Sequence, residues 1–316
     1  MTGKSEHPGT SPDDETLGLS PPHDAPIPYL SRIRSYYKAL GYARPYRWAQ
    51  YAEVPFAALA KPLAECRIGL VTTAAPYRPG RGDQGPGAPY NAAAKFYTVY
   101  SESSAGQPDV RISHVGYDRK HTTAEDINCW FPLEQLKRAA ASGRIASVAP
   151  RFHGVPTNRS QKTTLQQDCP EILRRIREDN VDAVVIVPNC PVCHQSASLL
   201  ARHLDANAIP SLVMGCAKDI VELIGVPRLL FSDFPLGNAA GRPNDPASQA
   251  ATLELALKLL AAAFAPRTTV HSPLRWSENA AWKLDFYNID KLSAAQIAKL
   301  RQEFDEQKRI AKSVSR

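Results

Sequence analysis

Between residues 169 and 265 the chain alternates strand and helix signals, and this rhythm limits its fold more than any other feature. Asp182-Ala-Val-Val-Ile-Val-Pro188 is apolar and β-branched, as expected of a strand buried on both faces. The pattern predicts a helix before it, over Cys169–Asn180, with Ile172, Leu173 and Ile176 on one side. After it come a helix ending near Ala206, a strand over Pro210–Met214 and a helix over Lys218–Ile224. A strand over Leu229–Asp233 and a long helix over Asp245–Ala265 complete the series. Arg67-Ile-Gly-Leu-Val-Thr-Thr73 supplies an earlier buried strand. Strands separated by helices of this length pair in parallel. The expected class is α/β: a parallel, doubly wound sheet with helices on both faces, an order that leaves room for two pseudo-similar halves. No internal repeat is strong enough to assert.

At the predicted strand-to-helix turn stands Cys190-Pro191-Val192-Cys193-His194. A helix N-terminus favours a thiolate over a thiol, and ligands bind at the carboxyl edge of such sheets. Four chemistries share this spacing. The thiols could be a redox or nucleophilic pair, one attacking and one resolving. They could be half of a metal site holding zinc or iron, completed by His194 or by a distant histidine such as His114. Cys-x-x-Cys-His is also the pattern of covalent haem attachment. Lastly, buried cysteines can serve only as small hydrophobes.

The other cysteines, Cys66, Cys129, Cys169 and Cys216, are dispersed, unlike the framework of a short secreted chain. The N-terminal stretch lacks an apolar core of the signal-peptide kind, and no apolar run is long enough for a membrane span. A cytoplasmic setting with free thiols is the expectation. The net charge of +7 lies partly in the C-terminal segment, and no aromatic residues interleave with a basic stripe. Nucleic acid is therefore not an expected partner.

Four regions are expected. Residues 1–27 read as a disordered or draped arm, 28–66 as an aromatic helical cap and 67–266 as the catalytic body. Residues 267–316 read as an extension with a basic amphipathic helix. Further strands are expected at Lys95–Tyr100 and Asp109–His114, and a helix at Pro132–Ser142. The Gly/Pro-rich loop from Pro76 to Pro89 reads as an active-site lid. His114 and Asp118 follow an apolar strand and are candidate proton carriers. Thr72 and Thr73 at the first strand's end, Arg151, Asp233 and Arg242 are candidate substrate contacts. Asp245 reads as a helix cap.

Four runs together carry a resemblance. They are Asp109-Val-Arg-Ile-Ser-His114-x-x-Tyr117-Asp118, Phe131-Pro132-Leu-x-x-Leu136, Val181-Asp-Ala-Val-x-x-x-Pro188-x-Cys190-Pro-x-Cys193-His194-Gln195, and Phe231-x-Asp233-Phe-Pro235-Leu-Gly237-x-x-x-Gly241-Arg242-Pro. Over about Arg67 to Pro266 the chain resembles the glycine/sarcosine/betaine reductase selenoprotein B family, most of all its D-proline reductase branch. The resemblance implies that Cys190 takes the place of a selenocysteine and that Cys193 resolves it. It implies reductive cleavage of an α C–N bond beside a partner subunit carrying a pyruvoyl group. Nothing in this chain supplies a pyruvoyl precursor.

The leading expectation is therefore a thiol-dependent reductase, cleaving a C–N or C–S bond of a small substrate and reset by a thioredoxin-like reductant. A homo-oligomer is compatible with it. The rivals are a metalloenzyme of lyase or hydrolase type and a non-catalytic protein that binds a small ligand or metal in the same pocket.

Overall fold

The computed structural model describes residues 25–157 and 159–314. The expected arm, residues 1–27, lies outside them except for its last three residues, of which Ile27 is buried in the main core.

The central sheet is built from β1 (Arg67–Thr72), β3 (Tyr100–Ser103), β5 (Ser147–Val148), β6 (Arg151–Gly154), β7 (Ala183–Val187), β8 (Ser211–Gly215), β9 (Arg228–Phe231) and β10 (Thr268–His271). Across the sheet the order is β10-β9-β8-β7-β1-β6-β3, and β5 pairs with the start of β1. All neighbours run parallel except β3, which is antiparallel to β6. From β1 the chain steps to β6, then returns to the other side of β1 with β7 and continues outward. The carboxyl ends of β1 and β7 therefore flank a topological switch point, where sheets of this kind bind ligands.

Side chains alternate across the sheet as its pleat requires. Ile68, Leu70, Val185 and Val187 face α2 (Leu133–Ala141) and α6 (Pro246–Ala262), meeting Leu133, Leu136, Leu253 and Leu257. Val71, Val184, Ile186 and Val213 face α3 (Cys169–Glu178) and α4 (Pro191–Ala206), meeting Ile172, Ile176, Leu200 and Leu204. A fully buried aliphatic side chain contributes roughly 1.5–3 kcal/mol. The wholly buried β7 is thus a firm base for the turn that follows it.

Two predicted elements come out differently. Residues 92–94 form a tight turn whose N–H groups bond Asn91 Oδ1 at 3.0 and 3.3 Å, so strand pairing starts only at Tyr100, not at Lys95. The strand expected at Asp109–His114 is only β4 (Val110–Arg111), which pairs antiparallel with β2 (Ala75–Pro76) in a separate ribbon.

The terminal regions share the body's core. Tyr29 and Ile33 of α1 (Tyr29–Ala39) cluster with Trp282 and Phe286 and with residues of the sheet. Residues 45–57 lack regular structure, yet they are tied to α4. Ala49 N–H donates to Gln195 Oε1 at 2.9 Å, and Ala57 N–H donates to Asp205 Oδ1 at 2.9 Å. Asp205 in turn pairs with Arg228 at 3.1 Å, both side chains fully buried. Helix α7 (Ala294–Val314) closes on α1 through Tyr37 and Phe304, whose ring centroids are 5.3 Å apart.

Candidate active site

Cys190 is the N-cap of α4. Pro191 occupies the first helical position, where its missing N–H costs nothing. The backbone N–H of Cys193 points at Cys190 Sγ from 3.2 Å, and a disulfide joins the two residues, whose Cα atoms are 4.8 Å apart. Cys193 is fully buried with Thr157 Oγ1 at 3.3 Å from its sulfur, while Cys190 keeps 4% exposure. The hydroxyl of Thr73 donates to Asn189 Oδ1 at 2.8 Å and accepts from Asn189 N–H at 2.9 Å, so the end of β1 is fastened to the cysteine turn.

His114 reaches the same place. One of its ring nitrogens and both cysteine sulfurs lie within 4.8 Å of one another. The ring is 2% exposed and neither nitrogen has a hydrogen-bond partner among the described residues. Burial first, then the nearby Lys95 and Arg119 cations, hold its pKa down at about 3. Near neutral pH it is an uncharged imidazole, suited to donating a hydrogen bond or ligating a metal and poorly suited to accepting a proton. Gly116 makes the approach possible. A Cβ there would sit 2.3 Å from Pro191 Cδ.

Cys190 and His114 open into a cavity of about 1330 Å³. Its lining includes Lys95 and Thr157, with the Lys95 ammonium bonded to the Thr157 carbonyl. Burial, with Arg159 adding to it, lowers Lys95 to about 8. One wall is the segment bearing Arg44, Tyr46, Arg47 and Trp48. Helix α1 contributes Arg34, Tyr37 and Lys38 to the lining, and α7 contributes Phe304, Lys308 and Lys312. No carboxylate lines the cavity among the described residues. Ring faces hold several of the cations instead. Lys308 lies 3.9 Å from the Tyr42 centroid and Arg159 lies 5.6 Å from that of Phe304.

The other expected site residues are placed elsewhere. Thr72 is fully buried and accepts the Ala74 N–H, so with Thr73 it braces the turn and does not face the cavity. Asp118 pairs with His121 at 2.9 Å, and His121 bridges to Asp285 at 3.2 Å; the carboxylate docks a later segment and is away from the thiols. Arg151 starts β6 at the amino edge of the sheet and pairs with Asp179 at 2.8 Å. Asp233 is held by Lys283, and Arg242 by Asp245 at 2.6 Å. His194 points away from the sulfurs. Its Nδ1 donates to the Cys190 carbonyl at 2.7 Å, and its Nε2 accepts from Cys216 and Ala217 N–H at 3.0 and 3.2 Å. That leaves it no lone pair for a metal. Cys216 is core, its thiol raised to about 12 by burial. The Gly/Pro-rich loop expected as a lid lines a smaller pocket with Tyr117, Arg119 and Trp130.

Sequence reasoning missed Lys95, Thr157 and Arg159. Lys95 lay inside a misread strand, and Thr157 and Arg159 lie in a loop with no motif. The cationic part of the cavity carried a signal in the basic C-terminal helix, which was legible as charge but not as cavity lining.

The sequence model for glycine/sarcosine/betaine reductase selenoprotein B (GRDB) matches residues 38–189, ending one residue before Cys190. The chain is also 31% identical over 201 residues to the D-proline reductase subunit gamma of Acetoanaerobium sticklandii, which covers 63% of this chain and 80% of that protein. No solved structure matches the chain.

Proposed function

Because the chain belongs to the glycine/sarcosine/betaine reductase selenoprotein B family, we propose that it is a reductase whose reaction centre is the Cys190/Cys193 pair. The observation that carries this reading is the pair's position at the N-terminus of α4, beside the switch point, with Cys190 lining a cavity. The reduced Cys190 thiolate is favoured by the Cys193 N–H and the helix dipole. It attacks a substrate carbon bearing a nitrogen or sulfur leaving group. An S–C bond forms, and the leaving group departs with the bonding pair and takes a proton. Cys193 thiolate then attacks Cys190 Sγ, forming the S–S bond and breaking S–C, and the released carbanion is protonated. The two thiols thus supply two electrons and two protons, and the bond R–X becomes R–H and H–X. Lys95, poised near neutral pH in the same cavity, is the proposed proton donor. A thioredoxin-class dithiol resets the disulfide. Like the D-proline reductase subunit gamma that it resembles, the chain would work as one subunit of a larger reductase.

One observation favours a second reading. His114 offers a buried nitrogen with no hydrogen-bond partner within 4.8 Å of both sulfurs. With the pair reduced, two thiolates and this nitrogen would hold zinc or iron and leave one position open to the cavity.

Cys190→Ser tests the reading. It should lower turnover by about a thousandfold or more while unfolding remains cooperative. Turnover near wild type would remove Cys190 as the nucleophile. Elemental analysis of the reduced protein separates the two readings, since a stoichiometric metal supports the second.

A further inference from the structure

We propose that the cavity lined by Cys190 binds a ring-bearing organic molecule with more than one anionic group, much larger than a free amino acid, and that the substrate belongs to this class. The inference deepens the reductase reading and rests on it for the word substrate.

Size is the first argument. Pockets for drug-sized ligands run to roughly 300–1,000 Å³, and this cavity measures about 1330 Å³. A lone small amino acid would leave most of it to solvent and would not be fixed against Cys190. Charge is the second. Lys95, Arg159, Arg34, Lys38, Lys308 and Lys312 all line it, with no carboxylate in the lining among the described residues. Gathered like charges repel in the empty protein, and an anion offsets that repulsion. Cations contributed by several separate segments select a molecule with more than one oxyanion. The aromatic lining is the third argument. Tyr42 and Phe304 present ring faces that already hold Lys308 and Arg159, so the charges are oriented before a ligand arrives. Flat aromatic walls suit a ring-bearing ligand. The oxyanions can be phosphate or carboxylate, which these side chains recognise through the same chemistry.

The test uses the full chain and two dyes of one ring system. Fluorescein is a dianion, and tetramethylrosamine is a cation of similar shape. By fluorescence anisotropy, fluorescein should bind at least about tenfold tighter than tetramethylrosamine, with affinity falling as salt rises. The double variant Lys308→Gln/Lys312→Gln should weaken fluorescein binding by about fivefold or more. Arg34→Gln/Lys38→Gln provides the same reading should the first variant fold poorly. Bound fluorescein should also slow alkylation of Cys190 by iodoacetamide in the reduced protein. Displacement by pyrophosphate more than by trimesate assigns the oxyanion as phosphate, and the reverse assigns carboxylate; either outcome supports the site. Equal affinity for the two dyes, or binding that the variants leave unchanged, overturns the proposal. So does binding that leaves alkylation unaffected. Tight fluorescein binding in a Cys190→Ser protein that still turns over would sink only the redox reading. An essential Cys190 without anion binding would sink only this one.

Discussion

An imidazole buried with neither nitrogen bonded costs roughly 1–3 kcal/mol, and His114 carries that cost beside two sulfurs. A residue kept only for packing would be improved by an apolar replacement of similar size. His114→Leu should therefore raise the melting temperature by roughly 2–6 °C and at the same time depress turnover and any metal binding. A variant that loses stability as well would mean the ring has partners in solution. The candidate list made from sequence captured His114 for an incomplete reason. It expected His114 at the edge of the central sheet, whereas the residue leaves the short β2–β4 ribbon. Asp118, Arg151, Asp233 and Arg242 read as equally suitable, but each already has a side-chain partner: His121 and Asp245 lie three residues away, Asp179 and Lys283 far along the chain. The two long-range pairings leave no mark on either residue in the sequence.

At the scale of elements, the site is a junction between the start of α4 and the loop that follows β4. Gly116 sets the spacing, because a Cβ there would lie 2.3 Å from Pro191 Cδ. Gly116→Ala should push the loop and His114 off the cysteine turn. Overpacking of this kind costs roughly 1–3 kcal/mol, and a shift of about 1 Å at reacting groups costs about a hundredfold in rate. Wild-type turnover in Gly116→Ala would show that this contact does not fix the site. The elements around the junction were legible in proportion to their burial. The runs at β1, β7 and β8 are mostly apolar and buried almost throughout, and they announce themselves. By contrast β10 is a half-buried edge strand of mostly polar residues. The β5–β6 row is interrupted at Ala149 and Pro150 and carries Arg151 and His153, so it read as a loop.

Across the whole molecule, stability should depend on pH through His194. Its Nε2 accepts two backbone N–H groups, so protonation breaks both contacts, and burial holds its pKa at about 4. The unfolded chain protonates this ring near its ordinary pKa of about 6.5. Below that value the unfolded state binds more protons, so stability is full above it and is lost as pH falls toward 4. A depression of that size is worth up to about 3 kcal/mol. Denaturant midpoints measured from pH 7 to pH 4.5 should fall in the wild type and fall less in His194→Gln; parallel curves would refute the assignment. The fold class was readable from the strand and helix rhythm alone. The cavity was not, because its walls come from α1, from residues 44–48 and from α7, segments that read as separate additions at the two ends of the body. Closure of a pocket by distant segments is a property of packing, and no local pattern encodes it.

The lining beside the thiols also has a place in time. Phe304 and Lys308 follow Cys193 by about 110 residues. At roughly 5–20 residues per second of synthesis, the cysteines emerge on the order of ten seconds before that helix. In that interval the cysteines exist without the share of the cavity lining that α7 supplies. A fresh copy can therefore meet an oxidant or a protein dithiol before the charged, ring-bearing lining of the finished molecule is complete.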